Sequence, residues 1–95
     1  MIFISLYIVI SLLAIGHPHC LIEPDLNGKV VIKNQDVEDM AFFNCQKLKS
    51  LVLENVTRVG QRAFYESINL KSISFSNNLK IIGDEAFHRC ASLNF

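Results

Sequence analysis

The chain has 95 residues, enough for one small domain. Nine Lys and Arg balance nine Asp and Glu, so the formal net charge is zero, which excludes the basic footprint that a nucleic-acid binder needs. The hydrophobic fraction of 51% is high for a small soluble protein, and its excess sits at the start of the chain.

Residues Met1 to Ile15 read MIFISLYIVISLLAI and carry no charged side chain. A bilayer-spanning helix needs about 20 apolar residues, so this run is short for one. Ala14-Ile15-Gly16 offers the small residues that signal peptidase requires, and residues 1–16 read as a secretory signal peptide cut after Gly16. No Lys or Arg precedes the run, and a retained membrane anchor is the other reading. Residues 17–29 form a lead with two prolines and are expected to be irregular. Cleavage would leave His17-Pro18-His19-Cys20 at the new terminus. A third-position His can bind Cu(II) or Ni(II) with the terminal amine and backbone amides, but Pro18 has no N–H to give up. A solvated lead is favoured, with no metal and no cofactor.

Gly28-Lys29-Val30-Val31-Ile32-Lys33 then pairs a turn residue with a β-branched run, the pattern of a strand. From here the chain repeats itself. Ala-Phe pairs start at 41, 63 and 86, a Cys or Ser stands at 45, 67 and 90, and a Leu at 48, 70 and 93. Every step is 22 or 23 residues, the period of a solenoid. Residues 30–95 therefore divide into a half repeat, two full repeats and one truncated repeat. Ala63, Ser67 and Leu70 fall at i, i+4 and i+7, which predicts one face of a short helical turn in each unit. Phe42, Phe64 and Phe87 point inward beside that face. A period of two follows, so Leu51, Leu53, Ile73 and Phe75 face inward while Val52 and Ser74 face outward. Gly60 and Gly83 are expected to close turns at positive φ. The first unit has Glu38 at that place, so its turn is expected to differ.

There are three cysteines, an odd count that leaves at least one thiol unpaired in a secreted chain. Cys45 and Cys90 share a column two rungs apart, roughly 9–10 Å at about 4.8 Å per strand. A disulfide wants Cα atoms within about 7 Å. These two are expected to be reduced, buried and unbridged, and Cys20 to be free or paired with another molecule.

Val59-Gly60-Gln61-Arg62-Ala63-Phe64-Tyr65-Glu66-Ser67 and Ile82-Gly83-Asp84-Glu85-Ala86-Phe87-His88-Arg89-Cys90 resemble the BspA-type leucine-rich repeat. The resemblance covers about Val30 to Leu93. It implies an α/β leucine-rich-repeat solenoid, a right-handed coil with short parallel strands on one face and short helical turns on the other. It also implies a secreted or cell-surface protein used in adhesion and protein binding, with no catalytic residues to carry over. Members of the family usually hold many more repeats than this chain.

The candidate binding residues are the outward positions of successive strands: Ser50, Val52 and Glu54 on one, Ser72, Ser74 and Ser76 on the next. Their small side chains leave room for a partner and offer hydrogen bonds. Asn55-Val56-Thr57 is a glycosylation sequon in a turn. Asp84, Glu85 and His88 are spaced to meet as an acid-base pair, but with no second His in the repeats they read as a solvated face. Lys47, Lys49 and Lys71 read as an ordinary solvated edge. The chain is thus expected to be a non-enzymatic extracellular module that binds a protein or glycan ligand of a host or extracellular matrix. The alternative is a truncated repeat fragment with no independent function. The unfinished last unit is expected to leave apolar side chains uncovered and to drive self-association.

Overall fold

The computed structural model describes residues 19–94. The run Met1–Ile15, the cleavage point after Gly16, His17 and Pro18 lie outside them. Five strands occur among the described residues: β1 (Lys29–Lys33), β2 (Ser50–Glu54), β3 (Arg58–Val59), β4 (Ser72–Phe75) and β5 (Ile81–Ile82). β1, β2 and β4 form one parallel sheet in that order, and β3 and β5 form a second. Val37 extends the second sheet by bridging to Val59. Strands one repeat apart pair in strict register: Val30, Leu51 and Ile73 form one inward column, and Ile32, Leu53 and Phe75 the next. Alternation of burial along β1 and β2 follows the period of two in the sequence. These stacked rungs fit a solenoid.

The turn side departs from expectation. Residues 38–48, 60–70 and 83–93 contain no helix. Their backbone N–H groups alternate between two destinations. Those of Met40, Phe42 and Asn44 cross to the carbonyls of Gln61, Ala63 and Tyr65 on the next rung, at 3.0, 2.6 and 2.6 Å. Those of Ala41, Phe43 and Cys45 return to the carbonyl three residues earlier, each at 3.3 Å. An α-helix would consume every N–H internally. Here half of them stitch the rungs together, and overlapping four-residue turns replace the helix. The third residue of the outer turns has positive φ: Met40, Arg62 and Glu85 in one column, Asn44, Glu66 and Arg89 in another. Each costs about 1–2 kcal/mol as a non-glycine residue, which the inter-rung bonds donated by Met40, Asn44, Arg62 and Glu66 offset on the first two rungs.

The glycines also do something other than expected. Gly60 and Gly83 do not have positive φ; the left-handed positions lie two residues later. A Cβ on Gly60 would lie 2.6 Å from the Asp39 nitrogen, and one on Gly83 2.6 Å from the Gln61 nitrogen. Glycine is needed for close approach to the rung before. Glu38 makes the same turn, since Ala41 donates to its carbonyl just as Ala63 and Ala86 donate to those of Gly60 and Gly83. The expected difference in its turn is absent.

Like residues stack on like. The rings of Phe42, Phe64 and Phe87 lie 5.0 and 5.1 Å apart and nearly parallel. Phe43, Tyr65 and His88 make a second stack at 5.1 and 5.2 Å. The hydroxyl of Ser67 donates to the Phe42 carbonyl, and the thiol of Cys90 makes the same bond to Phe64. Cys45 heads this column and instead is joined to Cys20 by a disulfide. That corrects the expectation of a reduced Cys45 and of a Cys20 either free or paired with another molecule. The reason is the path of the lead: the N–H groups of His19 and Leu21 donate to the carbonyls of Phe43 and Ala41, both at 2.8 Å. The lead thus runs antiparallel across the first turn segment and brings Cys20 over Cys45. Cys90 is free, and it is only partly buried rather than fully so.

Burial declines along the coil. Phe42, Cys45, Leu48, Leu51 and Leu53 are fully buried, as are Phe64, Ser67 and Leu70. Ile73 is half-buried, and Phe75, expected inside, is 56% exposed because no strand among the described residues lies beyond β4. Phe87, Cys90 and Leu93 are half-buried on the last turn segment.

Candidate interaction surfaces

The outward residues of β1, β2 and β4 form rows across the sheet. Lys29, Ser50 and Ser72 align, as do Val31, Val52 and Ser74. Lys33 faces Glu54 and pairs with it at 3.5 Å. Ser50, Val52, Ser72 and Ser74 therefore stand together as the alternation predicted, and Glu54 stands at their edge with its charge engaged. Ser76 does not belong with them. It lies past the end of β4, where its hydroxyl accepts from the Asn55 backbone and donates to Asn78. The face also extends over Lys29, Val31 and Lys33, a third row that the alternation of KVVIK carries and that the two-strand assignment missed.

Asn55 is exposed at the sequon, with φ 54°, and its side-chain amide donates to Asn34 on the rung before at 2.8 Å. Glu85 pairs with Arg62 at 2.9 Å, and His88 stacks on Tyr65. Both are engaged with the preceding rung, and the acid-base pairing considered for them does not form. Lys47 pairs with Glu23 at 2.6 Å, while Lys49 and Lys71 are exposed. Among the described residues, no three His, Cys, Asp or Glu come together as a metal site, and no helix is long and apolar enough to cross a membrane.

A second surface was legible only as an unfinished repeat. At the far end of the coil Leu53, Ile73, Phe75, Leu79, Ile82 and Phe87 line a wholly apolar cavity of about 120 Å³. Ile81 and Ile82 beside it are more than half exposed. Burial pushes the Cys90 thiol above its ordinary pKa, against an opposing pull from the Ser67 backbone. In the exposed loop of the lead, the Asp25 carboxylate accepts from the N–H groups of Lys29 and Asn27, which hold its pKa below the ordinary value.

A family model described as BspA type leucine rich repeat region (6 copies) matches residues 28–95. No curated protein and no solved structure matches the chain. The matched span begins at the glycine before β1 and takes in all five strands and all three turn segments. The chain belongs to the BspA-type leucine-rich repeat family.

Proposed function

We propose that this chain is a secreted or cell-surface module that binds an extracellular protein or glycan through its three-stranded face and has no catalytic activity of its own. The observation that carries this reading is the set of aligned rows Lys29-Ser50-Ser72 and Val31-Val52-Ser74. Their inward neighbours in β1 and β2 hold the core, so the outward positions are free to serve a partner. Repeats of this family support protein binding in general. The Cys20–Cys45 disulfide supports an oxidising compartment, in keeping with the apolar run at Met1–Ile15. A face of three short strands is smaller than the roughly 800 Å² per partner of a stable interface, so useful avidity comes from many copies.

The test compares two variants for binding to an extracellular-matrix extract and to a glycan array. Val52→Arg, Ser72→Arg and Ser74→Arg together should abolish binding. Gln61→Arg with Ser92→Arg, on the turn side, should preserve it. Binding that survives the first set in a folded protein and is lost in the second would reject the strand face.

The apolar cavity at the end of the coil favours a second reading, self-association of this chain. Sedimentation at rising concentration tests it, and a monomer throughout would reject it.

A further inference from the structure

The rungs of this coil treat charge in two opposite ways. On three columns opposite signs stack and the side chains pair: Lys33 with Glu54 at 3.5 Å, Arg62 with Glu85 at 2.9 Å and Glu66 with Arg89 at 3.7 Å. The column at the start of the strands does the reverse. Lys49 donates its N–H to the Gly28 carbonyl at 2.7 Å, and Lys71 donates its own to the Lys49 carbonyl at 2.8 Å. Gly28, Lys49 and Lys71 therefore occupy one column on successive rungs, and the two lysines stand one rung, about 4.8 Å, apart. Like charges facing each other across a sheet are destabilising. Both lysines are exposed, and neither has an ion-pair partner among the described residues. The lead carboxylates that line the hollow beside Lys49 are engaged elsewhere: Glu23 is held by Lys47 at 2.6 Å, and Asp25 accepts from the N–H groups of Asn27 and Lys29. The stem of Lys49 lies over Gly28, its Cγ 2.7 Å from where a Cβ on that glycine would stand. The zero net charge of the chain hides this segregation, since Asp36, Glu38 and Asp39 gather with Arg58 beyond the other end of β1.

We infer that the Lys49-Lys71 column is an anion site for a sulfated glycan, set apart from the strand face. An anion lying across both lysines relieves a repulsion that the fold leaves uncompensated. A lysine ammonium is a compact point charge whose three donors turn to meet the oxygens of a sulfate. The ligand has to be read by side chains alone, because the N–H groups of Lys49 and Lys71 are already donated within the coil. That disfavours an acidic peptide laid in as an added strand, whose affinity would come from main-chain bonds. Charges one rung apart call for anions at comparable density. A sulfated chain carries them on successive sugars, whereas a chain with one carboxylate on every second sugar is too sparse. Ser50 and Ser72 follow the two lysines in the same register and add hydroxyls beside them. Lys29 adds less, since its charge acts on Asp25. The Cys20–Cys45 disulfide supports the oxidising, extracellular setting in which such chains are met.

The probe is heparin, with desulfated heparin and hyaluronan for comparison. Lys49→Ser with Lys71→Ser should weaken heparin binding about tenfold or more, and the parent's affinity should fall with salt on a log–log slope of about two. Lys33→Ser with Lys80→Ser removes the same charge from outside the column and should change heparin affinity by no more than about twofold. Without ligand at low salt, the Lys49/Lys71 variant should melt no lower than the parent, so that lost binding is not lost fold. Heparin should raise the Tm of the parent and leave that of the variant unchanged. No heparin binding by the parent, or undiminished binding in the Lys49/Lys71 variant, overturns the inference. So does equal affinity for desulfated heparin or hyaluronan, or binding confined to phosphatidylserine vesicles. Inorganic sulfate that competes as well as heparin, sulfate for sulfate, overturns the glycan as the ligand. The face variant Val52→Arg, Ser72→Arg and Ser74→Arg keeps both lysines and should still bind heparin, so sulfated chains are scored apart from the ligands of the strand face and the two sites fail independently. Loss of heparin binding in that folded variant would assign heparin to the face and overturn a separate site.

Discussion

The two ends of this coil are built from the same repeat yet differ in what covers them. At the first rung the lead lies antiparallel over the turn, the Cys20–Cys45 disulfide holds it there, and Phe42, Cys45 and Leu48 are fully buried. At the last rung, Phe87, Cys90 and Leu93 occupy the same columns and are only half-buried. Residue identity is therefore not what decides burial here. The large side chains of a turn segment become fully buried only when something covers them on both sides, whereas small Ala86 is buried on the last rung as well, which is why stacked units gain stability from their neighbours.

The largest expected effect that sharpens this contrast comes from the central phenylalanine stack. Phe64 has a ring on each side and no exposed surface. Phe64→Ala should cost about 3–5 kcal/mol, enough to unfold a small domain, whereas Phe87→Ala should cost about 1–2 kcal/mol because part of its surface is already in water. Urea titration of both variants checks this; equal losses would mean that the last rung is covered in solution.

Breaking the cap comes next. The disulfide closes a loop of 25 residues of separation, and its removal should cost about 2–4 kcal/mol. The loss should be read in Cys20→Ser by urea unfolding at concentrations low enough to exclude association. A change of a few tenths would mean that the lead contributes nothing to the first rung.

Much of this architecture could be read from the residues alone, because the columns at 41, 63 and 86 and at 45, 67 and 90 repeat by type. The pairing of β2 with β4 and the inward columns followed directly. The turn side was misread because 41, 45 and 48 meet the core equally well from a helix or from overlapping turns. What separates the two is where the alternate N–H groups go, and that depends on a neighbouring rung 22 or 23 residues away. The disulfide was missed because Cys20 stands outside the period, so no column pointed to it. The glycines were recognised as special, but the cause is the backbone of the previous rung, as Glu38 in the equivalent turn demonstrates. Of the candidate face, alternation found Ser50, Val52, Ser72 and Ser74. It overran at Ser76, where β4 has ended, and it omitted β1.

The glycines give a smaller test of the same contrast. Gly83→Ala forces a Cβ against the Gln61 backbone and should cost about 1–3 kcal/mol. Glu38→Ala, in the equivalent turn of the first repeat, should change stability by no more than about 0.5 kcal/mol. A comparable loss at both positions would show that turn conformation, not close approach, selects glycine.

The smallest effect concerns Cys90. Burial raises its pKa, so the folded protein holds the thiol proton to higher pH than the unfolded chain does. Alkylation should be slower in native protein than in denaturant. The ratio should narrow as pH rises through the folded-state pKa, and the small stabilisation from the retained proton is lost over the same interval. A native rate equal to the denatured rate at neutral pH would place Cys90 in solvent.

The central claim is that the turn side is held by N–H groups crossing from each rung to the next, and that those of Glu85, Phe87 and Arg89 have no acceptor among the described residues. Residue-resolved hydrogen exchange on the oxidised monomer reads this directly. The amides of Phe42 and Phe64 should exchange slowly, since each is donated to the following rung at 2.6 and 2.8 Å, while the amide of Phe87 should exchange at close to the rate of an open chain. Equal protection of Phe64 and Phe87 would contradict the account.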